Sequence, residues 1–357
     1  MSPYLRYSDN VEAIQPEETA INRQIVESMA KINCAVFDRH RHASRDAHAK
    51  SHGILKGELI IESDLPSHLA QGLFAQPGRY SVIIRLSSSP GEVGSDAQSA
   101  ARGFALKILG VPGEKVLAKD ASHSQDFLLV NSPTIPFGDA RAYQQLQNFL
   151  EAEEHRKHGC PRGIEAAPPS VDARLKPILA ELASANFNHL LGETFYSMAA
   201  IRFGDYVAKI CVAPASAEVR ALTGVPINMM SGESVLRDSV VDFFRKGSAE
   251  YELRAQLCTD TDAMPIEDAS VEWSTHVSPY QTVGRIVIPP QEAYSPARRV
   301  YGDDVLSFNP WHAITAHRPL GSIMRIRKLA YEQSSSYRHA MNVQPRVEPS
   351  TISDFPD

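Results

Sequence analysis

Four apolar segments follow one another between residues 53 and 131, with only turn-rich stretches between them. Their composition and alternation predict β-strands over 53–62, 79–87, 102–109 and 125–131. Consecutive strands pair most simply as antiparallel neighbours, because parallel strands need long crossover connections. The run therefore argues against an alternating β-α-β sheet, and no glycine-rich phosphate loop follows any of these strands.

A second set of strands comes later in the chain, between and before helical stretches. We expect strands over 198–214 (with a turn at Gly204–Asp205), 250–259, 270–275 and 283–289, and helices over 17–33, 139–157, 170–186, 231–246 and from about Leu320 to 342. Two strand sets with helices inserted and appended favour an α+β fold or a large antiparallel barrel. We divide the chain into an N-terminal helical arm (1–40), a main domain (41–342) and an extended or disordered C-terminal tail (343–357).

Composition excludes several classes of function. The net charge is −6, whereas nucleic-acid binding needs clustered Lys and Arg, so no nucleic-acid partner is expected. The cysteines at 34, 160, 211 and 258 form no C-x-x-C pair, which argues against a zinc or iron–sulfur site and indicates free thiols in a reducing compartment. No signal peptide and no apolar run of about 20 residues is visible. We therefore expect a cytoplasmic protein without a membrane span.

Arg327, Tyr331 and Arg338 share one face of the last predicted helix, because their spacing is i, i+4 and i+11. A guanidinium one turn from a phenol stabilises the phenolate, and so does a metal ion. Tyrosinate is an anionic ligand and serves as the proximal ligand of catalase heme. Taken alone, the segment is better explained as an Arg–Tyr packing pair on a surface helix.

His48 precedes the first strand, and a neutral imidazole can accept and return a proton near pH 7. Arg85 and Ser87 point to one face of the second strand. In a barrel we expect that face to be the lumen, where Ser87 would hydrogen-bond the imidazole and Arg85 would neutralise a carboxylate. Taken alone, one of thirteen histidines is weak evidence, since it fits a satisfied or exposed histidine, and Arg85 and Ser87 are better explained as an outward-facing polar pair.

Taken in order, these segments resemble the catalase superfamily. Residues 45–50 (RDAHAK) resemble its distal motif R-x-V-H-A-K, and 80–92 (YSVIIRLSSSPGE) resemble V-R-F-S-T-V-x-G-E. ARGFALKI at 101–108, DFLLVNSP at 126–133 and VGRIVI at 283–288 resemble P-R-G-F-A-V-K-F, D-L-V-G-N-N-T-P and V-G-K-L-V-L. RKLAY at 327–331, with Arg338 seven residues on, resembles R-L-F-A-Y and its second arginine. The chain is shorter than ordinary catalases and resembles the minimal, catalase-related peroxidase branch.

The resemblance implies an eight-stranded antiparallel barrel with helical additions and heme b inside it, so that the main domain is a heme domain. It implies Tyr331 as the axial iron ligand, Arg327 beside its phenolate, and Arg45, Arg85 and Arg338 on the heme propionates. It implies His48 as the distal acid–base residue, with Ser87 orienting it. The implied function is to reduce or disproportionate hydrogen peroxide and organic hydroperoxides through a ferryl intermediate. An organic reductant and a homodimer or other homo-oligomer are also expected.

The distal asparagine is one departure from the family pattern. Aligned without gaps, Val130 falls on the family's catalytic Asn and Asn131 on its neighbour. A one-residue bulge would place Asn131 correctly, and we take Asn131 as the catalytic candidate on that basis. Loss of this Asn would favour organic hydroperoxides. Tyr331 is followed by Glu-Gln-Ser where catalases have Pro-Asp, and no segment matches the family's NADPH site.

Three other functions remain open at this stage. The same fold could serve a hydroperoxide-rearranging enzyme of the allene-oxide-synthase kind. It could also serve a heme-binding protein without turnover, or a structural barrel that has lost heme. Product analysis, a peroxide assay and the Soret band, respectively, distinguish these functions from a peroxidase.

Overall fold

The computed structural model describes residues 3–158, 173, 175–182 and 187–357. Its sheet contains nine strands: β1 (Ser51–Ile61), β2 (Gly78–Ser88), β3 (Arg102–Leu109), β4 (Ser124–Val130), β5 (Phe195–Tyr196), β6 (Ile201–Phe203), β7 (Tyr206–Pro214), β8 (Ala249–Leu257) and β9 (Gln281–Ile288). Every pairing between them is antiparallel. The predicted α+β fold with an antiparallel barrel is therefore confirmed.

A two-residue strand closes the barrel. β5 joins β4 through Val130 and Tyr196, and it joins β7 through Phe195 and Val212. On the other side β9 pairs with β1, so eight strands form a closed ring and β6 extends β7 as a hairpin. The turn of that hairpin is at Gly204, where φ is 62° and a residue without Cβ avoids strain. This turn is the one predicted from the sequence.

Side chains fill the interior of the barrel. Leu86, Phe104 and Leu129 point inward from β2, β3 and β4 and are almost fully buried. The Phe104 ring lies 5.3 Å from the Phe195 ring and 5.7 Å from the Tyr251 ring, centroid to centroid, so residues on opposite walls touch. An eight-stranded barrel is just wide enough for such packing. Arg85 and Ser87, which were expected to face the lumen, alternate with Leu86 along β2 and therefore point outward.

The helices are α1 (Glu18–His40), α2 (Ala140–His158), α3 (Leu175–Leu182), α4 (Ala217–Arg220), α5 (Val235–Phe244), α6 (Pro296–Val300) and α7 (Ser322–Met341). α6 continues into a π-helical turn, Tyr301–Val305. α1, α2 and α7 pack together through an apolar cluster that includes Ile25, Ala140 and Ile326. α1 extends seven residues beyond its predicted end. Of the helix predicted over 170–186, residues 170–172, 174 and 183–186 lie outside the described part, as does Cys160.

The strand predicted over 270–275 is wrong. This segment forms turns around Trp273, whose side chain is 1% exposed. The indole Nε1 donates to the Pro265 carbonyl (3.3 Å), and the Gln256 amide donates to the Trp273 carbonyl (2.9 Å). The apolar and aromatic residues of this segment are typical of a strand, but here the Trp273 carbonyl and indole make hydrogen bonds that involve side chains instead of pairing with a strand.

Residues 343–357 lie against the outside of the barrel. Val347 forms a bridge with Leu306, and Phe355 is buried with Ile54 and Ile83. Cys34, Cys211 and Cys258 are free thiols. Within the described residues, no helix combines the length and the apolar character that crossing a bilayer requires.

Candidate active site

His48 lies in the connection between α1 and β1, with its backbone in the left-handed region (φ 59°). This conformation costs a non-glycine residue roughly 1 kcal/mol. Two backbone hydrogen bonds hold it, from His48 N to the Ser89 carbonyl and from Ala49 N to the Pro90 carbonyl, both 2.9 Å. The bend brings the imidazole onto β2, where Nδ1 lies 3.0 Å from Ser87 Oγ.

The imidazole also lies directly on β3, at Gly103, which pairs with Ser87 across the sheet. A Cβ at position 103 would be 2.6 Å from His48 Nδ1 and 2.7 Å from Ser87 Oγ. These distances are too short for any side chain. Glycine at this position therefore makes room for the His48–Ser87 pair.

The pKa of His48 is lowered from its ordinary value of 6.5 to about 3. Burial is the largest cause, followed by the positive charges of Arg85, Arg327 and Arg45. The imidazole is therefore neutral near pH 7. Because Nδ1 is engaged by Ser87, Nε2 is the nitrogen left to exchange a proton with another molecule.

Tyr331 lies on α7, one turn after Arg327. Burial raises the pKa of its phenol, Arg327 opposes that rise, and Asp46 adds to it. Among the described residues Arg327 makes no ion pair, and its Nη1 donates a long hydrogen bond to the Met324 sulfur at 3.8 Å. Its charge is thus not offset by a carboxylate, so it is available to stabilise a phenolate at Tyr331.

A hydrogen bond joins the His48 segment to the Tyr331 helix. Ser334 Oγ donates to Asp46 Oδ1 at 2.6 Å. Asp46 comes two residues before His48, and Ser334 comes three residues after Tyr331. The two predicted halves of the site are therefore tied together, on the outer face of β1–β4 rather than in the lumen.

Arg45, Arg85 and Arg338 converge on the π-helical turn. Arg85 Nη2 lies 2.9 Å from Asp303 Oδ1, and Arg45 donates to the Gly302 and Leu306 carbonyls at 2.8 Å. Arg338 donates to the carbonyls of Asp303 (2.7 Å) and Asp304 (2.6 Å). We call these three side chains the arginine cluster.

The arginine cluster carries more positive charge than its neighbours offset. Burial lowers the pKa of Arg338 to about 10, with Arg85 as the next cause, and lowers the pKa of Arg45 well below its ordinary value. Arg338 Nε is buried without a hydrogen-bond partner. Three guanidiniums face two carboxylates here, Asp303 and Asp304, so the site has capacity for a further anion.

Asn131 does not approach His48. The β3–β4 register is continuous, with Gly103 opposite Val130, so the bulge that Asn131 would need is absent. Residues opposite each other across an antiparallel pair share a face. Val130 therefore lies on the face of Gly103 and Ser87. The Asn131 side chain instead accepts from Arg102 N (2.7 Å) and donates to Glu193 (3.3 Å) on the other face.

No protein-family model matches this sequence, and no curated protein matches it. Solved structures do. A fungal catalase aligns with a TM-score of 0.60 and 17% identity over 85% of this chain and 61% of its own. Catalase A from Saccharomyces cerevisiae aligns with a TM-score of 0.61 and 14% identity over 95% of this chain and 69% of its own. The chain has the catalase fold.

A bacterial catalase gives the same result, with a TM-score of 0.56 and 15% identity over 97% of this chain and 68% of its own. The chain spans about three fifths of the length of the fungal catalase that it matches. At these identities the likeness shows the fold, and what the chain catalyses has to be argued from its own residues.

The residues present fit the heme that the catalase fold implies. Among the described residues no group of three or more His, Cys, Asp or Glu could hold a metal ion. A tyrosinate can serve as the protein ligand of heme iron. Tyr331 beside Arg327 suits the ligand. The arginine cluster, with its unpartnered Arg338 Nε, suits two propionates.

Sequence reasoning missed the residues that support this site. Asp303 organises the arginine cluster and Asp46 ties the His48 segment to α7, yet both act through contacts distant in sequence, and nothing local marks them. Gly103 was visible in the ARGFALKI segment. Its role depends on the approach of His48, which only the folded chain shows.

Proposed function

We propose that the protein is a heme-dependent peroxidase that reduces organic hydroperoxides and hydrogen peroxide. The observation that carries this proposal is the neutral His48–Ser87 pair, tied through Asp46 and Ser334 to the helix of Tyr331. It supplies a proton acceptor on one side of a buried site and an anionic ligand on the other.

Heme b would be held by Tyr331 at the iron and by Arg45, Arg85 and Arg338 at the propionates. When bound, a tyrosinate-ligated heme supplies the redox chemistry that breaks the O–O bond. Arg327 would keep the Tyr331 phenol ionised, because its charge opposes the effect of burial.

His48 would move the proton. Its Nε2 would take the proton from the peroxide oxygen that lies nearer the heme. It would then return this proton to the other oxygen, which leaves as water or alcohol. Ser87 holds Nδ1, which fixes the tautomer. The low pKa of His48 makes the neutral, proton-accepting ring the resting form.

Val130 would favour hydroperoxides with an apolar tail. It lies on the face of Gly103 and Ser87, at the position where the resemblance implies an asparagine that positions peroxide. A valine offers no hydrogen bond to hydrogen peroxide but packs against carbon.

The test is to purify the protein with heme and measure cumene hydroperoxide and hydrogen peroxide reduction with a phenolic donor. We expect a Soret band, and a higher kcat/KM for the organic hydroperoxide. His48→Ala should keep the Soret band and lose at least about a hundredfold in reaction rate with either peroxide, because general acid–base catalysis contributes that much. Heme-loaded protein without turnover, or a variant that reacts at the wild-type rate, would contradict the proposal.

A second candidate is hydroperoxide rearrangement, which the apolar Val130 wall favours equally. It needs no reductant. Incubating the protein with a fatty-acid hydroperoxide and no donor distinguishes the two, since an allene oxide or its hydrolysis products would replace the alcohol.

A further inference from the structure

A cavity of about 210 Å³ adjoins the arginine cluster. It lies between the start of β1, α5 and the π-helical turn. Its walls include Arg45 of the cluster with Asp303 and Asp304, and also Arg237, Tyr294 and Arg299. We call it the Arg237 cavity. Its volume is about that of seven liquid waters, so it suits a small molecule.

Arg237 provides a fixed cation at this cavity. Its guanidinium lies 4.1 Å from the centroid of the Tyr294 ring, and Nη2 donates to the Ser51 carbonyl at 3.3 Å. Its Nε is buried and has no hydrogen-bond partner. Neither Arg237 nor the exposed Arg299 forms an ion pair with any described carboxylate. Arg237 is half-buried, and a partly desolvated cation without a counter-ion favours binding of an anion.

The other charges around the cavity are already engaged. Lys50 pairs with Asp96 at 2.7 Å, and His42 lies 2.9 Å from Asp304. The Asp303 carboxylate pairs with Arg85, and the Asp304 carboxylate is the one that lies beside His42. With two propionates on that cluster, Arg237 and Arg299 would still have no anionic partner.

We propose that the Arg237 cavity binds the electron donor of this enzyme, a small phenol that carries one carboxylate. The carboxylate would pair with Arg237 and Arg299. The phenol would lie beside Tyr294, towards the arginine cluster. The proposal rests on the proposed function. Reducing ROOH to ROH and water takes two electrons and two protons, which two donor molecules supply by giving up one of each and leaving as phenoxyl radicals.

The test is calorimetric titration of heme-loaded protein with 4-hydroxybenzoate and with its neutral analogue 4-hydroxybenzamide. We expect 4-hydroxybenzoate to bind at least about tenfold more tightly than the amide, because charge-assisted hydrogen bonds are the stronger kind. The Soret band should not shift, since the ligand does not reach iron. Arg237→Gln should remove this preference, and Arg299→Gln should reduce it if Arg237→Gln fails to fold.

Arg245→Gln is the matched control, because Arg245 follows α5 and pairs with Asp242 at the surface. It should leave both affinities unchanged. Equal binding of the two probes, or an unchanged preference in Arg237→Gln, would overturn the inference.

Measuring heme binding and peroxide turnover separately distinguishes failure of this inference from failure of the proposed function on which it rests. Peroxide turnover without charge-dependent binding would refute the cavity as donor site and leave the peroxidase standing. Charge-dependent binding that requires Arg237, in protein that binds no heme, would support the anion site and refute the peroxidase.

Discussion

The two faces of strands β2–β4 are both buried, yet they are built from opposite chemistry. The inner face presents Leu86, Phe104 and Leu129 to a packed barrel interior. The outer face presents Arg85, Ser87 and Lys107, and it carries His48 and the arginine cluster. Lys107 there is fully buried but paired with Asp126 at 2.9 Å, whereas Arg338 Nε has no partner. Apolar packing explains the barrel. A buried surplus of cations does not stabilise a fold, so it indicates a site for an anion.

Adjacent residues of β3 give the sharpest test of this contrast, because Phe104 points inward and Gly103 outward. Phe104→Ala should lower the free energy of unfolding by about 3–5 kcal/mol, since it empties a fully packed position. Chemical denaturation measures this. A loss below about 1 kcal/mol would mean that the interior is not packed as described.

Gly103→Ala should leave the barrel folded and damage the reaction. The added Cβ would collide with the His48 ring and Ser87 Oγ, so the imidazole must move. Displacement of a catalytic group by about 1 Å costs on the order of a hundredfold in rate, which is the expected loss of kcat/KM for peroxide. Stopped-flow kinetics on heme-loaded protein measures it. Normal kinetics in a folded variant would show that the His48–Ser87 pair is not needed where the structure places it.

The same contrast explains what the sequence could and could not predict. β3 was predicted at its observed bounds, because alternation is local. Which face closes into the interior was predicted wrongly, because β2 is apolar on both faces at Val82, Ile83 and Ile84. The choice depends on how the eight strands curl, which no single strand encodes. Likewise, the position of Asn131 depends on the β3–β4 register and not on its neighbours in sequence.

Acid should destabilise the protein through two buried histidines. The pKa of His48 falls to about 3 by burial and nearby arginines, and that of His317, whose ring packs against Phe74 and Phe203, falls to about 4, chiefly by burial. Below pH 6.5 the unfolded chain binds protons that the folded chain does not, so stability decreases as pH falls from about 6.5 towards 3–4. Each histidine should contribute about 2 kcal/mol of loss between pH 7.5 and 5.

Urea unfolding at the two pH values, in His48→Gln and in His317→Gln, checks this, because each change should flatten the pH dependence. Heme loading should then distinguish the two histidines. Propionates would offset the charges of the arginines around His48 and reduce its contribution to the pH dependence of stability, whereas the contribution of His317 should not change. A wild-type pH dependence in His48→Gln would contradict the low pKa.

Val130→Asn should have the smallest effect and be the most specific. The amide would add a hydrogen-bond donor on the face of Gly103 and Ser87, so kcat/KM for hydrogen peroxide should rise relative to cumene hydroperoxide. One hydrogen bond is worth about 1 kcal/mol, which corresponds to roughly a fivefold change in this ratio. Asn131→Ala is the matched comparison, because its side chain bonds Arg102 and Glu193 on the opposite face. It should leave the ratio unchanged and cost only stability. If instead Asn131→Ala changes the ratio and Val130→Asn does not, the asparagine reaches the peroxide after all, and the continuous β3–β4 register cannot hold in the working enzyme.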